Sequence, residues 1–286
     1  MSPTPRDAQG RPLMTQNDFN YLQQLLLERA GLLLGEEKKY LAESKLSALA
    51  GDEGYGSLED LLGAVQLGEG AGELERKVIE AMTNAETSFF RDLHPFEALR
   101  RHVLPDLIER RAAERTLTIW SAACASGQEP YSIVMILQQH FPQLAGWRIQ
   151  FIASDISEAM LSRARAGAYS QIEVNRGLPA PLLVKCFQRL DAEWQIHETL
   201  RRVVDFRRIN LTGPWPHMPA PDIIFMRNVL IYFDVPTKKA VLARVRRHMR
   251  PDGTLFLGGG ETTLKLEEGL VPVQLGKAIC YRPVAR

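Results

Sequence analysis

The acids and amides that fall just past apolar runs carry most of the chemistry in this sequence. The run "LTIW" feeds the turn "SAACASGQEPYS" (121–132), which opens the apolar helical stretch "IVMILQQHF". Ala122, Ala123, Ala125, Ser126 and Gly127 are small enough to let a ligand approach the backbone, but a dinucleotide-binding turn wants three glycines and this one has a single one. Glu129 opens the helix, where a carboxylate would repel a pyrophosphate held on bare amides. The turn therefore suits a cationic or neutral ligand; a plain tight turn with an acidic helix start is the competing reading. Asp155 ends "FIASDIS", where an acceptor pair for ribose hydroxyls belongs in a strand–helix alternation, and Ile156 is placed to flank an adenine ring. An N-cap for the next helix is the alternative role for Asp155.

Asn210 in "RRINLTGPW" and Asn228 in "DIIFMRNVLIYFD" end two further apolar runs. Their amides donate and accept, which suits an adenine edge or an amino-acid carboxylate; either alone is also a common loop or cap residue. In "NAETSFFRD" (84–92), Phe89 and Phe90 stand beside Arg91, after Thr87 and Ser88. The segment reads either as a helix start with a hydrophobic anchor or as a functional stretch that puts Arg91 over the mouth of a site.

The elements that must position these groups come in two blocks. Between Asn17 and Met82, "DFNYLQQLLLERAG", "EEKKYLAESKLSALAG", "SLEDLLGAV" and "GELERKVIEAM" have helical periodicity and Gly, Ser or Asp boundaries, giving about four helices. After Arg91, strand candidates at 117–122, 147–155, 203–211, 222–228, 253–259 and 277–283 alternate with "EPYSIVMILQQHF", "SEAMLSRARAGAY" and "PTKKAVLARVRRHM". That alternation predicts a mostly parallel, doubly wound sheet, whose ligands bind at the carboxyl ends of the strands near the switch point.

Composition narrows the function classes. The chain has 286 residues, enough for one large or two modest domains, and its 35 basic and 34 acidic side chains leave no global field to favour nucleic acid or an anionic membrane. Its three cysteines, Cys124, Cys186 and Cys280, lack metal-ligand spacing and read as free buried thiols in a reducing compartment. No apolar run reaches the roughly 18 residues of a membrane span, and "MSPTPRDAQGRPL" lacks the apolar stretch of a signal peptide.

In this order, "TSFFRD", "WSAACASGQEPYS", "ASDIS", "AYSQIEVNRGLP", "IIFMRNVLIYFD" and "MRPDGTLFLGGGE" resemble the CheR family of chemotaxis receptor methyltransferases, S-adenosylmethionine-dependent protein-glutamate O-methyltransferases. The resemblance runs from about Asp18 to Tyr281. It implies an α/β class I methyltransferase, a doubly wound mostly parallel sheet, with a small all-helical N-terminal domain and a short antiparallel hairpin insertion. The expected boundaries are a disordered leader at 1–14, a helical domain at 15–83 and a methyltransferase domain at 84–286 with the hairpin at about 188–206. Matched position by position, Thr87, Arg91, Glu129, Asp155, Asn210 with Leu211, and Asn228 with Val229 fall on cofactor contacts; Ala123 and Ile156 join them from the pocket reading above. Arg91 and Tyr232 fall beside the transferred methyl.

The implied substrate is the cytoplasmic domain of a chemoreceptor. The expected products are glutamyl methyl esters and S-adenosylhomocysteine, made in the cytoplasm; with no visible dimer seam a monomer is the default, and no nucleic-acid partner or membrane insertion is expected. A cofactor-binding signalling protein with weak or lost catalysis is the alternative. Three departures stand out. Ala85 occupies a place the family usually gives to Asn, with Asn84 one step earlier. The second helix offers Lys45 and little else basic, so docking would rest on Lys38, Lys39, Arg100 or Arg101. The hairpin region lacks the Gly-containing insertion of members that grip a receptor's C-terminal pentapeptide, which implies that no such tether is used.

Overall fold

The computed structural model describes residues 14–284; of the expected leader, all but Met14 lies outside the described residues. The chain divides into two compact units. One holds the residues up to Asn84 together with Tyr232–Asp234, and the other holds Ala85–Ile231 and Val235 onward.

The first unit is helical: α1 (Gln16–Ala30), α2 (Lys39–Asp52), α3 (Leu58–Gln66) and α4 (Glu73–Met82). Local chemistry sets their ends. Thr15 caps α1 in a reciprocal box with Asp18, Gly31 closes it in the left-handed conformation, and Ser57 caps α3. Phe19, Leu22, Leu26, Leu46, Leu61, Leu62 and Val78 form its core. Two charged groups of α2 turn inward. Lys45 donates to the Thr83 carbonyl at 2.9 Å, and burial lowers its pKa, so it serves the α4 terminus and is not a free docking cation.

Glu43 is fully buried, and neither of its carboxylate oxygens has a hydrogen-bond partner in good geometry. Burial raises its pKa above the ordinary carboxylate value, against the pull of Lys39 and the Met14 backbone. In the window between the ordinary and the raised value the native state binds more protons than the unfolded chain, so stability is lost as pH rises through it. Glu43→Met is therefore expected to stabilise the protein by about 1–2 kcal/mol at neutral pH. That advantage should grow as pH rises from the ordinary carboxylate value through the raised one and level off above it; melts that show a constant advantage across that rise would refute the assignment.

The second unit is built on a seven-stranded sheet in the order β6-β2-β1-β7-β8-β10-β9, with a separate three-stranded antiparallel sheet, β3-β5-β4. The strands are β1 (Thr116–Ala122), β2 (Arg148–Asp155), β3 (Ala168–Ser170), β4 (Phe187–Leu190), β5 (Glu193–Ile196), β6 (Val204–Arg208), β7 (Ile223–Met226), β8 (Thr254–Phe256), β9 (Leu270–Leu275) and β10 (Ala278–Pro283). β6, β2, β1, β7 and β8 run parallel, while β10 is antiparallel to both its neighbours. The helices are α5 (His94–Ala98), α6 (Leu104–Arg110), α7 (Gln128–His140), α8 (Glu158–Ala166), α9 (Gln171–Asn175), α10 (Ala180–Cys186), α11 (Glu198–Arg201) and α12 (Val235–His248), with one wide turn, Leu99–Val103, between α5 and α6.

All six strand candidates form strands of this sheet. β9 has no counterpart among them, because Pro272 breaks the run "LVPVQL". It is tolerated there because β9 is the outermost strand, where one edge needs no backbone donor. The antiparallel hairpin occupies Phe187–Leu190 and Glu193–Ile196, and Val204–Arg208 pairs with β2 in the main sheet.

Because the chain leaves β1 for β2 on one side and returns to β7 on the other, the switch point lies at the carboxyl ends of β1 and β7. The opposite ends are locked by Asp222, fully buried, which accepts from the Thr118 amide at 2.8 Å and from Arg111 Nε at 2.9 Å.

Candidate active site

The turn after β1 places two residues other than glycine in the left-handed region, Ala123 at φ 58° and Ala125 at φ 48°, before Gly127 at φ 92°. Gly127 is required twice over, since a Cβ there would also lie 2.9 Å from the Ala164 Cβ of α8. One glycine is enough because the turn is held from outside. Asp155 Oδ2 accepts from the Ala125 amide at 2.8 Å, the Cys124 amide donates to the Ser154 carbonyl at 2.9 Å, and the Tyr169 hydroxyl donates to the Ser126 carbonyl at 2.8 Å. Asp155 Oδ1 also accepts from the Ser157 amide at 3.0 Å, while Ser157, not Asp155, caps α8. Asp155 and the small-residue turn are thus one assembly at the ends of β1 and β2.

Glu129 lies in the first turn of α7 with its side chain 11% exposed. Its Oε1 accepts from Ser121 Oγ at 2.8 Å and its Oε2 accepts from Arg227 Nη1 at 3.1 Å. Burial pushes the Glu129 carboxyl upward, and Arg227 and Ser121 pull the other way. Glu129 is therefore not the lone negative charge that the sequence suggests. The two bonds use one acceptor position on each oxygen and leave capacity for a cationic donor.

The segment 84–92 is not a helix start. Residues 84–88 belong to no helix or strand and lead into a turn in which Phe90 (φ 49°), Asp92 (φ 65°) and Leu93 (φ 44°) have positive φ. The fully buried Phe89 ring packs edge-on against Tyr169 and Phe187, at 5.0 and 5.7 Å between centroids. The Phe90 amide donates to Ser132 Oγ at 3.0 Å. Arg91 is half-buried, with Nη1 donating to the Glu86 carbonyl at 3.0 Å, and Thr87 is half-buried too.

Beyond β6, Asn210 Oδ1 accepts from the amide and hydroxyl of Thr212 at 3.0 and 2.8 Å, a turn that shapes the backbone after the buried Leu211. The Ile209 amide donates to the Asp155 carbonyl at 3.0 Å and Arg208 Nε donates to the Ile156 carbonyl at 3.0 Å, so the ends of β2 and β6 stay together. Beyond β7, Asn228 is left-handed at φ 58°, a conformation Asn tolerates better than most residues, so its type has a backbone reason beside any ligand role.

Two residues that sequence reasoning passed over organise this end of the sheet. Glu261 accepts four backbone N–H bonds, from Asn228, Val229, Leu230 and Gly258, at 2.6–2.9 Å. Arg227, with its side chain 1% exposed, bonds Glu129, Asp92 and the Arg91 carbonyl and lies over the Phe96 ring at 5.7 Å. An arginine closing the apolar run "DIIFM" was a usable signal, since a buried arginine has to be paired. Glu261 offered none, because its partners are brought to it only by folding.

The structure thus brings Ala123, Glu129, Asp155, Ile156, Asn210, Leu211, Asn228 and Val229 to the carboxyl ends of β1, β2, β6 and β7, with Thr87 and Arg91 on the segment tied to Arg227. Tyr232 belongs to the helical unit. Its hydroxyl accepts from Asn84 Nδ2 at 3.0 Å, its carbonyl accepts from the Leu33 amide at 2.8 Å, and Phe233 bridges Leu32. The amide displaced by Ala85 is thereby engaged with the tyrosine.

The donor set matches an adenosylated sulfonium amino acid better than a dinucleotide. An acceptor-only acid ends β2, a buried acid opens α7, and the turn between them gives the amides of Cys124, Ala125 and Gly127 to protein acceptors. Among the described residues no group of acids, histidines and cysteines can hold a metal ion, and no helix is long and apolar enough to cross a membrane.

Comparison with known proteins agrees. Residues 85–278 match the family described as "CheR methyltransferase, SAM binding domain" and residues 17–83 match "CheR methyltransferase, all-alpha domain". The sequence is 38% identical over 270 residues to "Chemotaxis protein methyltransferase 1" of Pseudomonas aeruginosa, covering 93% of this chain and 97% of that one. It is 37% identical to "Chemotaxis protein methyltransferase Cher2" of Pseudomonas putida, covering 93% and 97%. With the "Chemotaxis protein methyltransferase" of Vibrio parahaemolyticus the identity is 36%, covering 94% and 98%.

Proposed function

Since the chain belongs to the CheR methyltransferase family and is an S-adenosylmethionine-dependent methyltransferase, we propose that it esterifies glutamate side chains on the cytoplasmic domain of a chemoreceptor. The observation that carries this reading is the combination of a ribose-type acid, Asp155, a buried Glu129 with free acceptor capacity, and an arginine, Arg91, that makes a single bond, to a backbone carbonyl. When bound, S-adenosylmethionine supplies an electrophilic methyl on a sulfonium. Asp155 would take the ribose hydroxyls and Glu129 the ammonium of the amino-acid tail, with Ile156 and Leu211 available to the base, Ala123 allowing close approach, and Thr87, Asn210, Asn228 and Val229 as the remaining contacts.

The incoming glutamate, with an unperturbed pKa of about 4.3, is already ionised at neutral pH, so no residue has to remove a proton. Arg91 would orient that carboxylate by charge-assisted hydrogen bonds, weakly enough to leave an oxygen lone pair free to react. Tyr232, which the sequence resemblance assigned to the transferred methyl, accepts at its hydroxyl from Asn84 and still has a hydroxyl proton to donate. The enzyme works as a cytoplasmic monomer.

The test is transfer of labelled methyl from the cofactor to a purified receptor cytoplasmic domain. Base-labile label on glutamates is expected, whereas cofactor binding without label would support a binding protein that has lost catalysis. Docking without a pentapeptide tether predicts that removing the receptor's C-terminal tail changes the rate less than about twofold, within the spread of one weak contact. A drop of tenfold or more, about 1.4 kcal/mol, would show that the tail is gripped.

A further inference from the structure

We infer that Arg227 is a positioning residue that holds the segment 84–92 in the conformation presenting Arg91 and fixes Glu129 with the same guanidinium. This rests on the roles given to Arg91 and Glu129 above. Phe90, Asp92 and Leu93 all have positive φ without being glycine, a backbone that persists only where its surroundings over-determine it. Phe89 and Phe90 are anchored by ring packing and by Ser132, but both anchors precede Arg91.

At Arg91 and Asp92 themselves the side-chain ties come from Arg227. Nη2 donates to the Arg91 carbonyl at 3.0 Å and to Asp92 Oδ2 at 2.6 Å, while Nη1 donates to Glu129 Oε2 at 3.1 Å. The arginine follows directly on β7, whose four residues are all buried, so its base is rigid. A planar fork that serves two partners at fixed angles cannot be copied by a lysine ammonium, which is a point charge on a flexible stem. The acid that opens α7 and the arginine-bearing turn are thereby set by one group, and loosening one grip of the fork releases the turn.

Asp92 offers a mild test because its side chain is 52% exposed and Asn fits its place. Full-length Asp92→Asn and Arg227→Lys are compared with wild type by trypsin cleavage of the Arg91–Asp92 bond and by calorimetric affinity for S-adenosylhomocysteine, with circular dichroism confirming the fold. For Asp92→Asn we expect cleavage about tenfold faster after normalising to an unfolded peptide with the same substitution, which cancels the protease's own preference at this bond, and cofactor affinity within about twofold. Arg227→Lys is expected to speed cleavage at least as much and to weaken cofactor affinity about tenfold or more. Wild-type cleavage rates in both folded variants, or unchanged cofactor affinity in Arg227→Lys, would overturn the inference. Neither readout needs methyl transfer, so a wild-type protein that leaves the receptor unlabelled defeats the functional reading separately.

Discussion

Arg91→Ala is expected to lower turnover about a hundredfold, the scale set by misplacing a reacting group, while leaving the fold intact. The side chain is half-buried and makes one hydrogen bond, to the Glu86 carbonyl. Its loss should therefore shift the melting temperature by no more than roughly 2 °C. Cofactor affinity should fall less than about fivefold, because a partly exposed ionic contact is worth about 1 kcal/mol or less. If the nucleophile is the proposed glutamate carboxylate, it needs no deprotonation and the missing group acts on orientation, so the deficit should be constant from about pH 6 to pH 9, above the carboxylate's ordinary pKa. Single-turnover rates with labelled cofactor and receptor make the measurement. Turnover within a few fold of wild type would remove Arg91 from the chemistry.

The second large effect is expected from Glu261→Ala. One carboxylate accepts from Asn228, Val229, Leu230 and Gly258, and removing it leaves four part-buried amides without their acceptor. Even after water and neighbouring groups compensate in part, the loss should be about 3 kcal/mol or more, a fall of roughly 6–12 °C in melting temperature for a domain of this size. Cofactor affinity should weaken with it, because the left-handed turn at Asn228 depends on these bonds and Gly258 packs too closely to adjust. A Cβ at Gly258 would lie 2.8 Å from both Asn228 Nδ2 and Glu261 Oε2. Glu261→Gln should recover only part of the loss, since its amide nitrogen would face N–H donors. A melting curve for the Ala variant that overlays wild type would refute the role.

These two predictions show what could be read before folding. Arg91 stands in a segment whose residue types, two aromatics beside a cation, were conspicuous, and Asp155 and Asn228 end apolar runs that could only be strands of an alternating fold. Lys45 illustrates the opposite. Nothing about its place on α2 marked a role in the fold, whereas burial and the Thr83 carbonyl show it serving the fold. Glu129 lies between these cases. Its position at the start of α7 was legible, but its compensation by Arg227 was not, because those residues are far apart in the chain.

What the sequence by itself determined is the two-block organisation, the parallel core of the sheet, the turn with one glycine and the acid opposite it. Those follow from local periodicity and from steric demands that a residue imposes on its neighbours. Only the tertiary structure decided that the turn is held by Asp155, that β9 completes the sheet in spite of Pro272, and that Arg227 and Glu261 tie the site together. Hydrogen bonds between groups distant in sequence leave no periodic trace. A buried charge can stay ionised only beside partners that the fold delivers.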